Sequence, residues 1–301
     1  MTDAPGTVVI LLSDKRSGST IFQTEFAAHP QVSGLGYTSH TYLESHHWLK
    51  GAVMLDRPPR LFSAGNRYAN YGSARNARTY MIDTIRGNLP GYAPPPDDRA
   101  LIMQGWEALC EQHARPVFFE KSPQILAHWA ALSLMLEWRA QTAYRVKLVA
   151  LVRNPHAVQY SSEKLFGSSP LVRQYGWAET HRNLLALRAL LDDQALMILR
   201  HEDIIEAPQD RFADVCRFVG IAPDPDMGAR ISDRTQNAWR DDPGYTVDLD
   251  PAVRQIATAL GYPEAMLDNP RATSAKPGYR PSRAPAARRI ETWKNKLRDR
   301  V

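Results

Sequence analysis

Residues 7–29 read TVVILLSDKRSGSTIFQTEFAAH: an apolar run, a short polar loop and an amphipathic segment. The apolar run has no helical period, which is typical of a strand buried on both faces of a parallel sheet. After the loop, apolar side chains recur at helical spacing until a proline ends the pattern. The stretch therefore predicts a strand over 7–13 and a helix over 18–29.

The loop between these two elements has the composition of an anion-binding site. Gly18 lets the backbone approach a ligand closely, and the first N–H groups of the following helix point toward that ligand. Two cations and three hydroxyl groups surround the glycine: Lys15, Arg16, Ser17, Ser19 and Thr20. The loop therefore predicts a phosphate-like ligand, although a serine–glycine turn that only caps the helix fits the same residues.

The loop lacks the pattern of ordinary ATP and GTP sites. That pattern is G-x-x-x-x-G-K-[ST], but no glycine precedes Gly18 at the required spacing. Ser19 also stands where the lysine of the pattern belongs. The sequence therefore disfavours an ordinary ATP or GTP site.

A second buried strand followed by a helix is predicted at 146–162, VKLVALVRNPHAVQYSS. The apolar run ends on Arg153, and Asn154-Pro155 then begins a helix. Ser161 falls about two helical turns after Arg153, so both side chains can face one crevice. Two anion sites at adjacent strand ends suit a nucleotide that is phosphorylated at two positions. An arginine that only caps a strand end beside a solvated serine is the alternative.

Together these residues resemble the sulfotransferases that use 3′-phosphoadenosine 5′-phosphosulfate (PAPS). In that family [KR]-S-G-[ST]-[ST] binds the 5′-phosphosulfate, and residues 16–20 match it. The 3′-phosphate is held by R-[ND]-P-x-x-x-x-x-S, which is matched by Arg153 and Ser161. Residues 195–221 resemble a further family segment, with His201 in place of a tyrosine.

A fourth segment, Phe118-Phe119-Glu120-Lys121-Ser122-Pro123, resembles the E-K-[ST]-P stretch of the glycan sulfotransferases. The resemblance implies transfer of a sulfuryl group from PAPS to a hydroxyl of a carbohydrate or other small acceptor, with 3′-phosphoadenosine 5′-phosphate (PAP) as the product. It implies Arg16 and Lys121 as catalytic cations, and no metal is expected. Lys121 could instead pair with Glu120, and Lys15, included with the nucleotide-binding residues, could be a solvated loop charge.

Two other classes of function stay open. The chain could bind PAP or PAPS without turnover, as a scaffold or sensor. It could also be a related nucleotide phosphotransferase, although such an enzyme should carry GK[ST] and a carboxylate for Mg²⁺.

The general base is not fixed by the motifs. Tyr37 and Thr38 stand where the glycan and tyrosyl-protein enzymes place a glutamate. His40 and Glu44 are the candidates nearby, and in a helix they would share one face with His47. The sequence therefore predicts a base from His40 or Glu44.

Glu44 also has a structural interpretation. Thr41-x-x-Glu44 fits a capping box, which would use the carboxylate to begin a helix. Glu120 is a third and weaker candidate for the base, because alternation along a strand can turn it away from Lys121. A zinc site is disfavoured, because adjacent histidines project differently and no cysteine is near. Its ligands would come from His40, Glu44, His46 and His47.

Alternating strand and helix patterns predict an α/β fold of three layers, like that of P-loop proteins, with a central parallel sheet flanked by helices. We expect a single sulfotransferase domain over 1–301, an acceptor-binding insertion over 45–115 that is loop-rich from 51 to 96, and a basic tail over 276–301. Predicted strands lie at 7–13, 116–121, 146–153 and 196–201. Predicted helices lie at 18–29, 76–87, 98–112, 124–140, 156–166, 174–193, 208–219, 251–260 and 287–299.

Composition limits the remaining functions. A chain of 301 residues that is 44% hydrophobic can bury a full core. Cys110 and Cys216 are expected to be reduced, buried thiols rather than a disulfide framework. No apolar run reaches the length of a bilayer span, and no cleavable signal is evident, so we expect a cytoplasmic enzyme with no integral membrane segment.

The net charge of +5 is concentrated at the end of the chain. Residues 276–301 hold nine Lys/Arg and two acidic residues, whereas the other 275 residues hold 28 basic and 30 acidic ones. The tail is a solvated arm in one interpretation, and in another it folds over the 3′-phosphate of the nucleotide. No recognition motif accompanies the charge, so no nucleic-acid partner is expected. A homo-oligomer stays open.

Overall fold

The computed structural model describes residues 6–57, 72–232 and 236–272. Within these ranges, five parallel strands form one sheet in the order β2-β3-β1-β4-β5. The strands are β1 (Thr7–Ser13), β2 (Val32–Ser33), β3 (Val117–Lys121), β4 (Arg145–Val152) and β5 (Leu196–Arg200). All seven residues of β1 are buried, as its unbroken apolar run predicts for a central strand.

Helices connect the strands and cover the sheet. In chain order they are α1 (Ser19–Phe26), α2 (His47–Met54), α3 (Ala74–Asn88), α4 (Asp98–His113), α5 (Trp129–Arg139), α6 (Pro155–Phe166), α7 (Pro170–Leu190), α8 (His201–Glu206), α9 (Pro208–Val219), α10 (Ala238–Asp241), α11 (Pro251–Ala259) and α12 (Glu264–Leu267), with a 3-10 helix at Pro123–Ala127. Among the described residues, none of these helices combines the length and apolar character needed to cross a bilayer.

The sheet separates two apolar cores, because successive side chains of each strand point to opposite faces. Val9 and Leu11 of β1 pack with α1 and α9 on one face. Val8, Ile10 and Leu12 pack on the other face with the larger group of helices, which includes α2, α4, α5 and α7. The predicted three-layer α/β fold with a central parallel sheet is thus confirmed.

The connections create a crevice at the carboxyl ends of β1 and β4. The helix that follows β1 packs on one face of the sheet, whereas Val158 of α6, the helix that follows β4, packs on the other. The two strands are neighbours, with Ser13 in register with Leu151. In open parallel sheets this change of direction opens the crevice in which ligands bind.

The predicted strands are confirmed within one residue at each end, and several helix ends differ from their predictions. α1 stops at Phe26 instead of residue 29, and the amides of Ala28 and His29 then donate to the carbonyls three residues earlier, which forms turns instead of a further α-helical turn. The predicted helix over 124–140 is divided, since His128 has extended backbone (φ −128°, ψ 98°) between the 3-10 helix and α5. α7 begins at Pro170, where the proline suits the first turn of a helix, rather than at residue 174.

Four helices and one strand have no counterpart among the predictions: α2, α8, α10, α12 and β2. The expectation of a loop-rich segment over 51–96 is wrong for its described parts, which contain the second half of α2 and all of α3. Trp48 and Leu49 of α2 are fully buried, and Gly51 lets this helix lie against Ile102 of α4. The acceptor-binding role of 45–115 stays a prediction. The predicted helix over 287–299 and the tail over 276–301 lie outside the described residues.

Both cysteines are buried and free, as predicted. Burial raises the pKa of the Cys110 thiol, and the nearby Glu107 carboxylate raises it further. Burial likewise raises the pKa of Cys216. Both groups are therefore neutral packing residues at physiological pH.

Candidate active site

The loop after β1 has the backbone geometry of an anion-binding nest. Arg16 and Gly18 both have positive φ values, 72° and 90°, which turn successive N–H groups toward one side. Gly18 begins α1 without a side-chain cap, so the first N–H groups of the helix stay available to a ligand. The Ser17 hydroxyl is fully buried and has no hydrogen-bond partner among the described residues. These features suit a bound anion.

Gly18 also lies against His201, the first residue of α8. A Cβ atom at position 18 would lie 2.3 Å from Cδ2 of His201, so only glycine fits there. Burial and, to a smaller extent, the neighbouring Arg153 lower the pKa of His201 to about 3. His201 is therefore neutral at physiological pH. Its Nδ1 is buried without a partner in the part of the chain that the structure describes.

The two anion motifs predicted from sequence meet in space. Arg16 Nε donates to Ser161 Oγ at 3.0 Å, and Arg153 Nη1 donates to the Arg16 carbonyl at 3.0 Å. Trp177 Nε1 of α7 donates to the Arg153 carbonyl at 3.1 Å, which fixes the end of β4. Arg153 is buried, whereas Arg16 is exposed and Ser161 is half-buried. Both motifs thus contribute to one cluster of cationic side chains.

A second contact from α7 holds the loop in place, and the sequence analysis did not find it. Arg173 Nη2 lies 2.5 Å from Asp14 Oδ2 and donates to the Lys15 carbonyl at 3.4 Å. Asp14 follows β1 directly, so this ion pair links the start of the anion loop to α7. The Lys15 residue itself is exposed. No local pattern around Arg173 could have indicated this partner.

Lys121 is brought beside Glu44 at the carboxyl end of β3. Its Nζ lies 2.7 Å from Glu44 Oε1, and the residue is only 2% exposed. The alternative in which Lys121 pairs with Glu120 is wrong, because neighbouring residues of a strand point to opposite faces. Leu11 of β1 is in register with Lys121, so the lysine adjoins the strand that carries the anion loop.

The segment that carries Glu44 is clamped onto β3. Glu120 Oε1 accepts hydrogen bonds from the Ser45 hydroxyl at 2.6 Å and from the Ser122 hydroxyl. The His46 amide donates to Ser122 Oγ at 2.9 Å. Burial raises the pKa of Glu120, while these hydrogen bonds lower it. Glu120 thus positions the segment and faces away from Lys121.

The predicted helical face of His40, Glu44 and His47 is not formed. The chain is not helical over 41–46, Leu43 and His46 have positive φ, and α2 begins only at His47. The capping-box interpretation of Glu44 is wrong for the same reason, and the carboxylate pairs with Lys121 instead. His47 turns away and donates from Nε2 to the Ile102 carbonyl at 2.7 Å.

His46, and not His47 as the helical interpretation predicted, lies beside Glu44. Its Nε2 lies 3.4 Å from Glu44 Oε2, and His40 Nδ1 lies 3.8 Å from the same oxygen. Burial lowers the pKa of His46 well below its usual value, and His40 and three nearby lysines lower it further. His46 is therefore neutral, and Glu44 stands between two imidazoles and an ammonium group.

Comparison with known proteins places the chain in a family. A family model described as "Sulfotransferase family" matches residues 9–226. That range is most of the chain and includes all four motif segments, so the chain belongs to the sulfotransferase family and is an enzyme of that class. The family resemblance carried by the motifs is confirmed. A search of curated proteins gave no significant match.

Solved structures agree on the fold. The sulfotransferase domain of the Synechococcus PCC 7002 olefin synthase has a TM-score of 0.58 and 18% identity, covering 86% of this chain and 96% of that one. A sulfotransferase domain from the curacin biosynthetic pathway has a TM-score of 0.55 and 20% identity, covering 86% and 98%. At these identities the likeness concerns the arrangement of the sheet and helices.

Proposed function

We propose that this enzyme transfers a sulfuryl group from PAPS to a hydroxyl of a carbohydrate or another small acceptor. One observation carries the proposal: the Arg16–Ser161 and Arg153–Arg16 hydrogen bonds join the two anion motifs into a single cationic cluster. A donor that carries negative groups at the 3′ and 5′ positions of its ribose matches a site with two anion-binding parts. Lys121, at the end of the neighbouring strand β3, supplies a cation beside it, and Glu44, in the loop before α2, supplies a carboxylate.

The residues of the cationic cluster fit such a donor. The nest at Arg16 and Gly18, with the Ser17 hydroxyl and the N-terminal N–H groups of α1, would hold the 5′-phosphosulfate. Lys15, Ser19 and Thr20 would border it. Arg153 and Ser161 would hold the 3′-phosphate. When bound, PAPS would supply the sulfuryl group; the bond between its sulfur and the bridging phosphate oxygen would break, and PAP would be the leaving group.

Fixed positive charge is the main contribution of the protein to such a transfer. Negative charge grows on the leaving oxygen, and preorganised cations stabilise it strongly where water is excluded. Arg16 is permanently charged and can stabilise that oxygen but cannot protonate it. Lys121 is buried and held in position by Glu44, so little side-chain entropy is lost when it turns toward the reacting groups.

Glu44 is the group that we assign as base. Its Oε1 faces Lys121, which leaves Oε2 to receive the acceptor proton. His40 Nδ1 accepts the Tyr42 amide at 3.3 Å, so the proton of a neutral His40 ring lies on Nε2. In that tautomer His40 donates and does not accept at its outer nitrogen. We therefore do not assign His40 as the base, and Nδ1, the nitrogen that it turns toward Glu44, carries no proton to donate in this tautomer.

The acceptor is assigned to the side of the cationic cluster bounded by Tyr42. This side chain is exposed, and its ring lies 5.4 Å from Lys121 Nζ. An exposed aromatic ring next to the base offers a flat apolar surface on which a sugar ring can stack. Tyr37 is a second exposed ring on the same segment of chain.

Isothermal titration calorimetry with PAP tests the donor assignment, with AMP and with ATP plus Mg²⁺ as parallel ligands. We expect PAP to bind more tightly than either. If ATP binds best, or if none binds, the donor assignment is wrong. Turnover of PAPS with a panel of sugars and phenols then tests the acceptor class, and the Glu44→Gln and His40→Gln variants separate the base from its neighbour.

A further inference from the structure

Three potential metal ligands from one short segment converge beside Lys121. The ligand atoms of His40, Glu44 and His46 all lie within 4.8 Å of one another. Glu44 Oε2 is the centre of the group, at 3.4 Å from His46 Nε2 and 3.8 Å from His40 Nδ1. Glu44 and His46 are buried and His40 is half-buried, so the group opens to solvent on the His40 side.

We propose that His40, Glu44 and His46 form a binding site for a divalent transition-metal ion of the zinc type, which inhibits the enzyme by occupying Glu44. Two imidazoles and one carboxylate are a ligand set that zinc uses in proteins when a fourth position is left to water. The inhibitory part of this inference rests on the proposed function of Glu44, whereas the binding part does not.

The distances favour a zinc ion over a larger, oxygen-seeking one. Two ligand atoms that each lie about 2.0 Å from a tetrahedral zinc ion are about 3.3 Å apart. The His46–Glu44 separation already has this value, and the His40–Glu44 separation exceeds it by about half an ångström. A rotation of the half-buried His40 would close the difference, and it would release the Tyr42 amide from Nδ1 so that this nitrogen could bind the metal. Ca²⁺ and Mg²⁺ prefer sites made of oxygen ligands.

Backbone conformation keeps the group assembled. His46 has a positive φ of 49° and its amide is held by Ser122, so its ring is directed back toward Glu44 instead of following α2. The sequence-based objection that adjacent histidines project differently is correct for His46 and His47. It does not apply to His40, Glu44 and His46, because the intervening chain is not helical.

Lys121 shares the carboxylate and should oppose the metal. Its ammonium group contacts Glu44 Oε1, while the other oxygen of the same carboxylate, Oε2, faces the two histidines. A metal ion on Oε2 would therefore be repelled by Lys121 and would take the position of the incoming acceptor proton. Removal of the lysine charge should strengthen metal binding, whereas removal of a ligand should weaken it.

Metal binding is tested by calorimetric titration of the full chain with Zn²⁺, after removal of any affinity tag, and by the visible absorption of bound Co²⁺. We expect one Zn²⁺ per chain and the intense bands of tetrahedral Co²⁺. The His40→Ala variant should lose at least about 10-fold in affinity, since even second-shell losses have that size. Lys121→Met should gain affinity, and His113→Ala, which changes a histidine outside the group, should bind as the wild type does.

The outcomes separate this inference from the proposed function. No binding, or equal binding by the wild type and the His40→Ala and Glu44→Gln variants, would overturn the metal site. His40 is the most exposed of the three ligands, so His40→Ala should fold, and circular dichroism checks this. If Zn²⁺ binds through His40 and Glu44 but PAP does not bind, the proposed function fails while the metal site stands. If Zn²⁺ binds but does not slow sulfuryl transfer, the inhibitory role is wrong.

Discussion

At the level of single residues, the buried ion pair of Lys121 and Glu44 affects both the stability of the fold and the proposed chemistry. Both side chains are buried, and their pairing at 2.7 Å compensates two charges that have left water. Removal of one partner from such a pair costs about 3–5 kcal/mol, because the other charge is left uncompensated. Replacement of either residue therefore affects stability as well as chemistry, and the two effects must be measured separately.

The Lys121→Met variant should lower turnover far more than donor affinity. Loss of a preorganised charge at the transition state costs about 10²–10³ in kcat. PAP should bind nearly as it does to the wild type, because the nucleotide-binding contacts come from Arg16, Arg153 and the nest at Gly18. The measurements are kcat with PAPS and the Kd of PAP by calorimetry.

The Glu44→Gln/Lys121→Met double variant is the control for stability in that experiment. It removes both buried charges, so its unfolding midpoint in urea should lie above that of Lys121→Met alone. Its turnover should stay low. If Lys121→Met turns over at the wild-type rate, Lys121 has no part in the chemistry.

Arg153→Ala should weaken PAP binding much more than AMP binding, because only PAP carries the 3′-phosphate assigned to this side chain. A hydrogen bond to a charged group contributes about 1.5–3 kcal/mol, which corresponds to roughly 10- to 150-fold in Kd. The fixing contact from Trp177 goes to the Arg153 carbonyl and survives the substitution. Calorimetry with both nucleotides gives the two ratios. Equal losses for PAP and AMP would assign Arg153 a purely structural role.

At the level of elements, the sequence predicted the strands, loops and helices whose formation depends on residues close together in the chain. The unit β1, anion loop and α1 follows directly from an apolar run, a glycine and a helical stripe, and its geometry is as predicted apart from the length of α1. The end of β4 at Arg153 was found for the same reason. These features depend on residues that are close together in sequence.

Contacts between distant segments were not predictable in this way. Glu44 meets Lys121 only because Glu120 and Ser122 clamp the intervening loop onto β3. Arg173 meets Asp14 only because α7 packs beside the end of β1. α2 was missed because its glycine and its histidines weaken a helical pattern that burial against α4 supports in the folded chain.

The Gly18→Ala substitution tests the loop as an element, and Gly220→Ala is its matched control. Both glycines have φ of +90°, so either alanine should cost about 1–2 kcal/mol through left-handed backbone. Position 220 has no heavy atom within 4 Å of an added Cβ, whereas at position 18 the Cβ would lie 2.3 Å from His201. Gly18→Ala must therefore displace the loop or His201 in addition.

We expect Gly18→Ala to abolish measurable PAP binding and Gly220→Ala to preserve it. The unfolding midpoint in urea should fall for both variants, and further for Gly18→Ala. Retained PAP affinity in Gly18→Ala, at an unfolding midpoint equal to that of Gly220→Ala, would show that the close approach to His201 has no role in binding.

At the scale of the whole molecule, the parallel sheet places the residues of the site at the carboxyl ends of four neighbouring strands. β3 contributes Lys121, β1 the anion loop, β4 Arg153 and β5 His201, in the order in which these strands are neighbours. The same packing buries several histidines as neutral groups. Burial lowers the pKa of His47, His156 and His181 to about 4, and that of His201 to about 3.

These buried histidines should make the fold sensitive to acid well above the pKa of its carboxylates. In the unfolded chain a histidine has a pKa near 6.5 and takes up a proton below that pH, whereas these four stay neutral in the fold. The unfolded state then binds more protons, so the free energy of unfolding falls as pH drops. Full stability is present above about pH 6.5, and each group removes up to about 1.4 kcal/mol per pH unit down to its folded pKa.

Glu120 acts in the opposite sense, since burial raises its pKa in the fold and it takes up a proton there before it does in the unfolded chain. It is one group against at least five, because burial lowers the pKa of His46 as well, so the net stability should still fall steadily between pH 6.5 and 4.5. Urea unfolding at several pH values across that range measures the slope. His181→Gln removes one buried imidazole and should make the slope shallower, because one proton fewer is then taken up on unfolding. A midpoint that does not change with pH in the wild type would mean that these histidines are protonated in the folded protein.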